Sequence, residues 1–135
     1  MSLSDRVSSV ASIIYGDGTL MTGCPLNDEE AMRWVRERYS NMEYCLVREW
    51  RWLDIDVSDE ARDGLKKRAL QPVVVYANNV VYDSRRRWDT GSWVKTSLLH
   101  RYDEGGAFMT FNSVYVLLGE GVRQTTTPEA LRSLI

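Results

Sequence analysis

The sequence predicts an α+β fold: an antiparallel meander of three to five strands, with two to four helices that lie mainly in the N-terminal half. Before residue 72, apolar residues recur at helical spacing behind capping residues, whereas after it short β-branched runs alternate with Asn and Gly turns. The length of 135 residues suits one hydrophobic core. We therefore expect a single globular domain over 1–135, with a helical part over about 1–70, a β-rich part over about 72–123 and a short terminal helix over 128–134.

Capping residues mark the predicted helices. Asn27 precedes "DEEAMRWVRERYSN", and Glu30 completes a capping-box pattern with it. Ser58 precedes the amphipathic stretch "DEARDGLKKRALQ", which Pro72 ends. Further helices are predicted over "DRVSSVASIIY" behind Ser4 and from the Thr-Pro-Glu start of the tail, although the threonines before that start also suit a flexible linker.

Alternating apolar residues predict the strands. In "EYCLVREWRWLDIDV", aromatic and β-branched side chains favour a strand over a helix. "PVVVYANNVVYD" predicts two short strands about an Asn78–Asn79 turn, because asparagine tolerates the positive φ of a tight hairpin. "WVKTSLLHRYD" and "AFMTFNSVYVLLG" follow, joined by a turn at Gly105–Gly106. Tyr44, Trp50, Trp52 and Tyr82 suit either a sheet covered on both faces or an exposed aromatic surface, and we favour partial burial with one exposed aromatic patch.

The composition excludes several classes of protein. Hydrophobic residues make up 44% and charged residues 27%, as in ordinary globular domains and unlike disordered chains. No apolar run approaches the roughly 18–20 residues that span a bilayer, so no membrane association is expected. A net charge of −2 does not suit a polybasic nucleic-acid-binding protein. An acid and a base near the N-terminus, without a sustained apolar core, argue against a secretory signal, and a cytoplasmic protein is expected.

Cysteine and histidine usage argues against a metal centre. Cys24 and Cys45 are the only cysteines, and their separation fits no metal-binding motif. In a reducing compartment two such thiols are expected to be buried and free. His100 is the only histidine, whereas structural zinc requires four ligands. No metal site, cofactor or catalytic residue is therefore assigned.

The stretch "DSRRRWDTGSWVKTS" packs four cations and two tryptophans into residues 83–97. Arginine and tryptophan are the residue types most enriched at binding hot spots. The candidate binding residues are Arg85, Arg86, Arg87, Trp88, Trp93 and Lys95. Asp83 and Asp89 flank the arginines and are placed to pair with them. The alternative is a solvated loop whose tryptophans cover one end of the core.

A second group of candidates is acidic. Asp54 and Asp56 would point to one face of an extended strand, where such a pair can hold Mg²⁺ or divide acid and base roles. His100 is the one histidine that a nucleophilic mechanism could use. Because spacing alone supplies no further converging groups, we favour solvent-facing aspartates before the Ser58 helix and a histidine at a sheet surface.

The segments "DTGSWVKTSLL" and "FNSVYVLLGEG" resemble a family of short bacterial proteins of undefined activity, some of them carried on phages or prophages. The shared pattern is close to G-x-W-V-x-T-S-L-L, then a turn and N-x-V-Y-V-L-L-G-x-G, over roughly residues 72–123. Its matching residues here are Gly91, Trp93, Val94, Thr96, Ser97, Asn112, Val114, Tyr115 and Gly119. The resemblance implies a β-rich unit and a mobile-element context, and it implies no catalytic residue.

The leading hypothesis is a small non-enzymatic interaction protein that binds another macromolecule through the loop over 84–95. An acidic protein partner, or a second copy of the chain pairing along an exposed strand edge, suits that loop. The first alternative is a nucleic-acid-binding accessory protein that uses the same loop. The second is a small metal-dependent hydrolase or nuclease built on Asp54, Asp56 and His100. The sequence favours a non-enzymatic role and leaves enzymatic activity open.

Overall fold

A computed structural model describes residues 18–133 of the chain, so the helix predicted behind Ser4 lies outside the described residues. Eight strands and three helices follow one another in this range. In chain order they are β1 (Thr19–Thr22), α1 (Asp28–Arg38), β2 (Glu43–Ile55), α2 (Asp59–Lys67), β3 (Val73–Asp83), β4 (Val94–Lys95), β5 (Arg101–Asp103), β6 (Ala107–Met109), β7 (Ser113–Leu117), β8 (Glu120–Thr126) and α3 (Pro128–Arg132).

The 13-residue strand β2 organises the sheet, since it pairs with three other strands. Along one edge it runs antiparallel to β3, from Cys45 opposite Asp83 to Asp54 opposite Val73. Along the other edge its first half pairs in parallel with β7 and its second half pairs in parallel with β8. Strands β6 and β5 extend the sheet beyond β7, and β1 extends it beyond β8.

The segment over 94–103 joins the two sides of this curled sheet. Its first part bonds to β3, with the Thr96 amide donating to the Val75 carbonyl and the Leu99 amide donating to the Val73 carbonyl. Its second part pairs with β6 as strand β5. The enclosed face holds a buried cluster drawn from β2, β3, β4, β6 and β7, which includes Trp50, Trp52 and Phe108.

Strand β2 is buried on both faces. Its inward-facing residues are odd-numbered in the first half of the strand and even-numbered in the second half. Cys45 lies in the enclosed cluster, while Leu46 packs against α1 on the outside. Glu49 then adopts a positive φ of 54°, and beyond it Trp50 turns inward while Leu53 packs outside near α3. The exposed aromatic patch that we favoured for this segment is therefore wrong, because its tryptophans fill the core and its outer face is covered.

The predicted antiparallel meander of three to five strands is also wrong, because eight strands form a mixed sheet. The parallel pairing of β2 with β7 and β8 requires long-range crossovers that local pattern does not encode. Strand β8 was not predicted, because one of its inward positions is Gly121 and therefore has no apolar side chain. The Trp50 ring occupies the space that a side chain would need there.

The predicted Asn78–Asn79 turn is absent, and β3 continues through both residues. Asn79 lies opposite Arg48 of β2, and pairing resumes with Ala77 opposite Trp50, so the strand passes through both asparagines without a turn. By contrast, the turn at Gly105–Gly106 is confirmed, with φ values of 104° and 99°.

The helix caps predicted within residues 18–133 are confirmed. Asn27 accepts from the Glu30 amide at 2.9 Å while Glu30 accepts from the Asn27 amide at 3.2 Å. Ser58 caps α2, and Thr127 caps α3, with Pro128 in its first turn. Among residues 18–133, no helix combines the length and apolar character that crossing a membrane requires.

The prediction of two free, buried cysteines is confirmed for Cys24 and Cys45. Burial raises the pKa of the Cys45 thiol to about 12, because the thiolate would be desolvated, and the nearby Asp83 carboxylate adds to the effect. The raised pKa means that the folded chain keeps this proton at pH values where the unfolded chain has lost it.

We expect the free energy of unfolding to fall by about 1 kcal/mol from this thiol as the pH rises from neutral to about 10. Its contribution is complete below the unfolded pKa of 9.0 and is lost as the pH climbs toward about 12. Urea denaturation of the wild type and of Cys45→Ala across this range measures it. Burial also raises the pKa of Tyr115 to about 12, but this residue is present in both proteins and titrates in both. Equal slopes for the two proteins would contradict the assignment to Cys45.

Candidate functional site: the arginine–tryptophan loop

Residues 84–95, hereafter the arginine–tryptophan loop, leave β3 after Asp83 and return alongside it as β4. The loop is fastened to β3 by backbone hydrogen bonds: the Gly91 amide donates to the Val80 carbonyl and the Val80 amide donates to the Ser92 carbonyl, both at 2.8 Å. Gly91 has a φ of 89°, which suits the tight return. The loop is thus a fixed part of the sheet edge rather than a free connection.

Arg87 is a structural residue. Its amide and guanidinium donate to the Asp83 carboxylate, at 2.6 Å from the amide and 2.8 Å from Nη2 to Oδ1, and its Nη1 donates to Ser113 at 2.8 Å. The Asp83 side chain is fully buried, whereas that of Arg87 is 29% exposed. The hydrogen bonds to Asp83 raise the pKa of the guanidinium, which also lies over the Trp88 ring at 4.5 Å. Arg87 is therefore committed to holding the loop.

The other two arginines reach the surface in different states. Arg85 is 66% exposed and forms an ion pair with Glu43 at 2.9 Å. Arg86 has a positive φ of 52° and is exposed, and among residues 18–133 it forms no ion pair. Of the four cations in the loop, only Arg86 and Lys95 lack a carboxylate partner within the part of the chain that the structure describes.

The two tryptophans of the loop differ in their exposure to solvent. Trp88 is half-buried against the enclosed core cluster, with its ring 6.2 Å from that of Tyr115. Trp93 is 50% exposed and stacks on Tyr76 of β3, with ring centroids 5.8 Å apart and planes inclined by 24°. A groove of about 510 Å³ lies between them, lined by Trp88, Ser92, Trp93, Val94 and Lys95. The stacking partner Tyr76 is distant along the chain, and no sequence signal indicated it.

The acidic candidates and His100 have separate surroundings. Asp54 accepts from Arg123 Nε at 2.7 Å and from Trp52 Nε1 at 3.2 Å, which engages both of its oxygens. Asp56 is exposed. The His100 ring packs on Phe111 at 4.8 Å, and its Nδ1 lies 2.8 Å from the Ala69 carbonyl oxygen. Within residues 18–133, no three His, Cys, Asp or Glu side chains converge to hold a metal ion.

Fold and site together define a curled mixed-sheet domain whose loop surface presents an aromatic groove beside a lysine. The chain belongs to the family described as Domain of unknown function (DUF6957), which it matches over residues 22–133. The match extends well beyond the C-terminal pattern from which the resemblance was drawn. No curated protein and no solved structure matches the chain significantly.

Proposed function

We propose that this domain is a non-enzymatic interaction module that binds an acidic protein segment in the groove between Trp88 and Trp93. The observation that carries the proposal is Trp93: a half-exposed indole held in one orientation by stacking on Tyr76. An aromatic side chain fixed before binding loses little conformational entropy when a partner covers it. Such residues are typical binding hot spots.

The charges beside the groove favour an acidic protein over a nucleic acid. Lys95 lines the groove and Arg86 lies on the same loop, so two cations are available to carboxylates. Arg87 is neutralised by Asp83, and Arg85 is paired with Glu43. Because phosphate-backbone binding depends on several unneutralised cations, two are a weak basis for nucleic-acid affinity. We also propose a cytoplasmic, bacterial or phage setting, in keeping with the resemblance described above.

We expect Trp93→Ala to weaken partner binding at least about tenfold, the size typical of a tryptophan hot spot. The bait is the full chain, expressed in its native host, with quantitative mass spectrometry of what it captures at low and at high salt. The partner found is then purified and its affinity measured by calorimetry. Because Trp93 is half-exposed, its loss should leave the fold intact.

Phe111→Ala is the matched control, since Phe111 is 55% exposed and lies in the β6–β7 turn, outside the groove lining. A protein that the wild type and Phe111→Ala bind at both salt concentrations, and Trp93→Ala does not, would support the proposal. Equal binding by all three proteins would overturn it. Capture of nucleic acid that high salt releases would favour the nucleic-acid alternative, and dimerisation that depends on Trp93 would identify the partner as a second copy.

A further inference from the structure

A second recess, separate from the arginine–tryptophan loop, lies where α2 crosses the end of β2. Its volume is about 450 Å³, within the range of small-molecule sites. Side chains of α2 form one wall, Asp54 and Arg123 form another, and apolar residues around Pro72 form the floor. Nothing in the proposed protein-binding role uses this recess.

The lining of the recess has an excess of positive charge. Among the described residues, the lining contains Arg62, Lys66 and Arg123 against a single carboxylate, Asp54. Arg123 grips that carboxylate with Nε at 2.7 Å and Nη2 at 3.0 Å, so these two charges neutralise each other. The remaining two cations, Arg62 and Lys66, have no ion pair or side-chain hydrogen bond to any residue in the described range.

The position of these two cations is not explained by the packing of α2. They are four residues apart and therefore lie on the same helix face. No side chain of the helix is fully buried, and Arg62 and Lys66 are exposed, so this face is free to line the recess. A basic residue in the last turn, such as Lys66, also favours the helix dipole. Arg62 lies before that turn, and the dipole gives no reason for it.

The floor of the recess is apolar and held in place. Leu70, Pro72 and Val73 are buried at its base. The Trp52 ring, also in the lining, is fixed by edge-on contacts with Tyr102 and Phe108 at 4.9 and 5.3 Å. A fixed floor reduces the entropy that a bound molecule would cost.

We propose that this recess binds a small phosphate ester, with the phosphate between Arg62 and Lys66 and the organic group over Leu70, Pro72 and Val73. A phosphate group carries close to two negative charges at neutral pH, which matches the two cations that have no partner among residues 18–133. An apolar floor beneath a cationic wall selects a phosphate attached to an organic group over free phosphate. The inference is independent of the partner bound at Trp93.

Phenyl phosphate is the probe, because it joins a phosphate to a compact apolar ring. Saturation-transfer NMR on the full chain should show saturable binding of phenyl phosphate. Inorganic phosphate should displace it only at higher concentration, and benzyl alcohol, which lacks the charge, should not bind. Arg62→Gln with Lys66→Gln should weaken phenyl phosphate at least about tenfold, since two charge-assisted hydrogen bonds are lost.

Lys67→Gln with Arg68→Gln is the matched control, because it also removes two positive charges, from the last residue of α2 and its C-cap, and both lie outside the recess lining. We expect it to change the affinity by no more than about twofold, as screened surface charges do. Both pairs replace exposed side chains, so neither should disturb folding. Absence of saturable binding, equal binding of benzyl alcohol, or an equal loss in the two pairs would each overturn the proposal.

Discussion

Replacing Arg87 by alanine is expected to lower the free energy of unfolding by about 3 kcal/mol. The change would leave the Asp83 carboxylate, whose side chain is fully buried, without the guanidinium that neutralises it. Removal of one partner from a buried ion pair costs several kcal/mol, and the 29% exposure of Arg87 places the loss toward the lower end. Urea denaturation followed by far-UV circular dichroism measures it.

The same arginine run supplies the controls. Arg86→Ala should change stability by no more than about 0.5 kcal/mol, because Arg86 is exposed and without an ion pair in the described chain. Arg85→Ala removes only a surface ion pair with Glu43 and should cost less than about 1 kcal/mol. Three equal losses would show that the Asp83 network does not hold the loop. A binding experiment with all three arginines replaced would confuse lost stability with lost contacts.

How far the sequence predicts this loop depends on how local each feature is. The sequence indicates that one of the three consecutive arginines pairs with the nearby Asp83. Which arginine pairs could not be predicted, because the choice depends on the backbone turn at Arg86, whose φ is positive. Likewise, the exposure of Trp93 depends on its stacking against Tyr76 of another strand.

The same distinction applies to the fold. The caps at Asn27 and Ser58 involve residues three apart, so sequence spacing was sufficient to predict them. The pairing of β2 with β8 joins residues about seventy positions apart. The inward face of β8 includes Gly121, which has no side chain. At Gly121, β8 contacts the core through the space that the Trp50 ring fills, not through a side chain of its own. Such a strand lacks the alternating apolar side chains from which a strand is predicted.

Gly106→Ala is expected to destabilise the protein by about 3–4 kcal/mol, through two separate effects. Gly106 has a φ of 99°, a conformation that alanine adopts only with strain. In addition, an added Cβ would lie 2.5 Å from the Cys24 amide nitrogen and 2.9 Å from its Cα. Those atoms cannot easily withdraw, because the Cys24 amide donates to the Leu117 carbonyl at 2.6 Å.

Two further glycines separate these effects. Gly105 has a similar φ of 104°, but an added Cβ would meet Trp34 only at an ordinary 3.5 Å, so Gly105→Ala should show the strain alone, about 1–2 kcal/mol. Gly64 lies within α2 with nothing nearby, and Gly64→Ala should stabilise by about 0.5–1 kcal/mol through helix propensity. Thermal and urea unfolding of the three variants would give this order. A Gly106→Ala loss no larger than that of Gly105→Ala would mean that β1 and the residues after it do not pack against the 105–106 turn as described, since the close approach of Cys24 is what distinguishes the two positions.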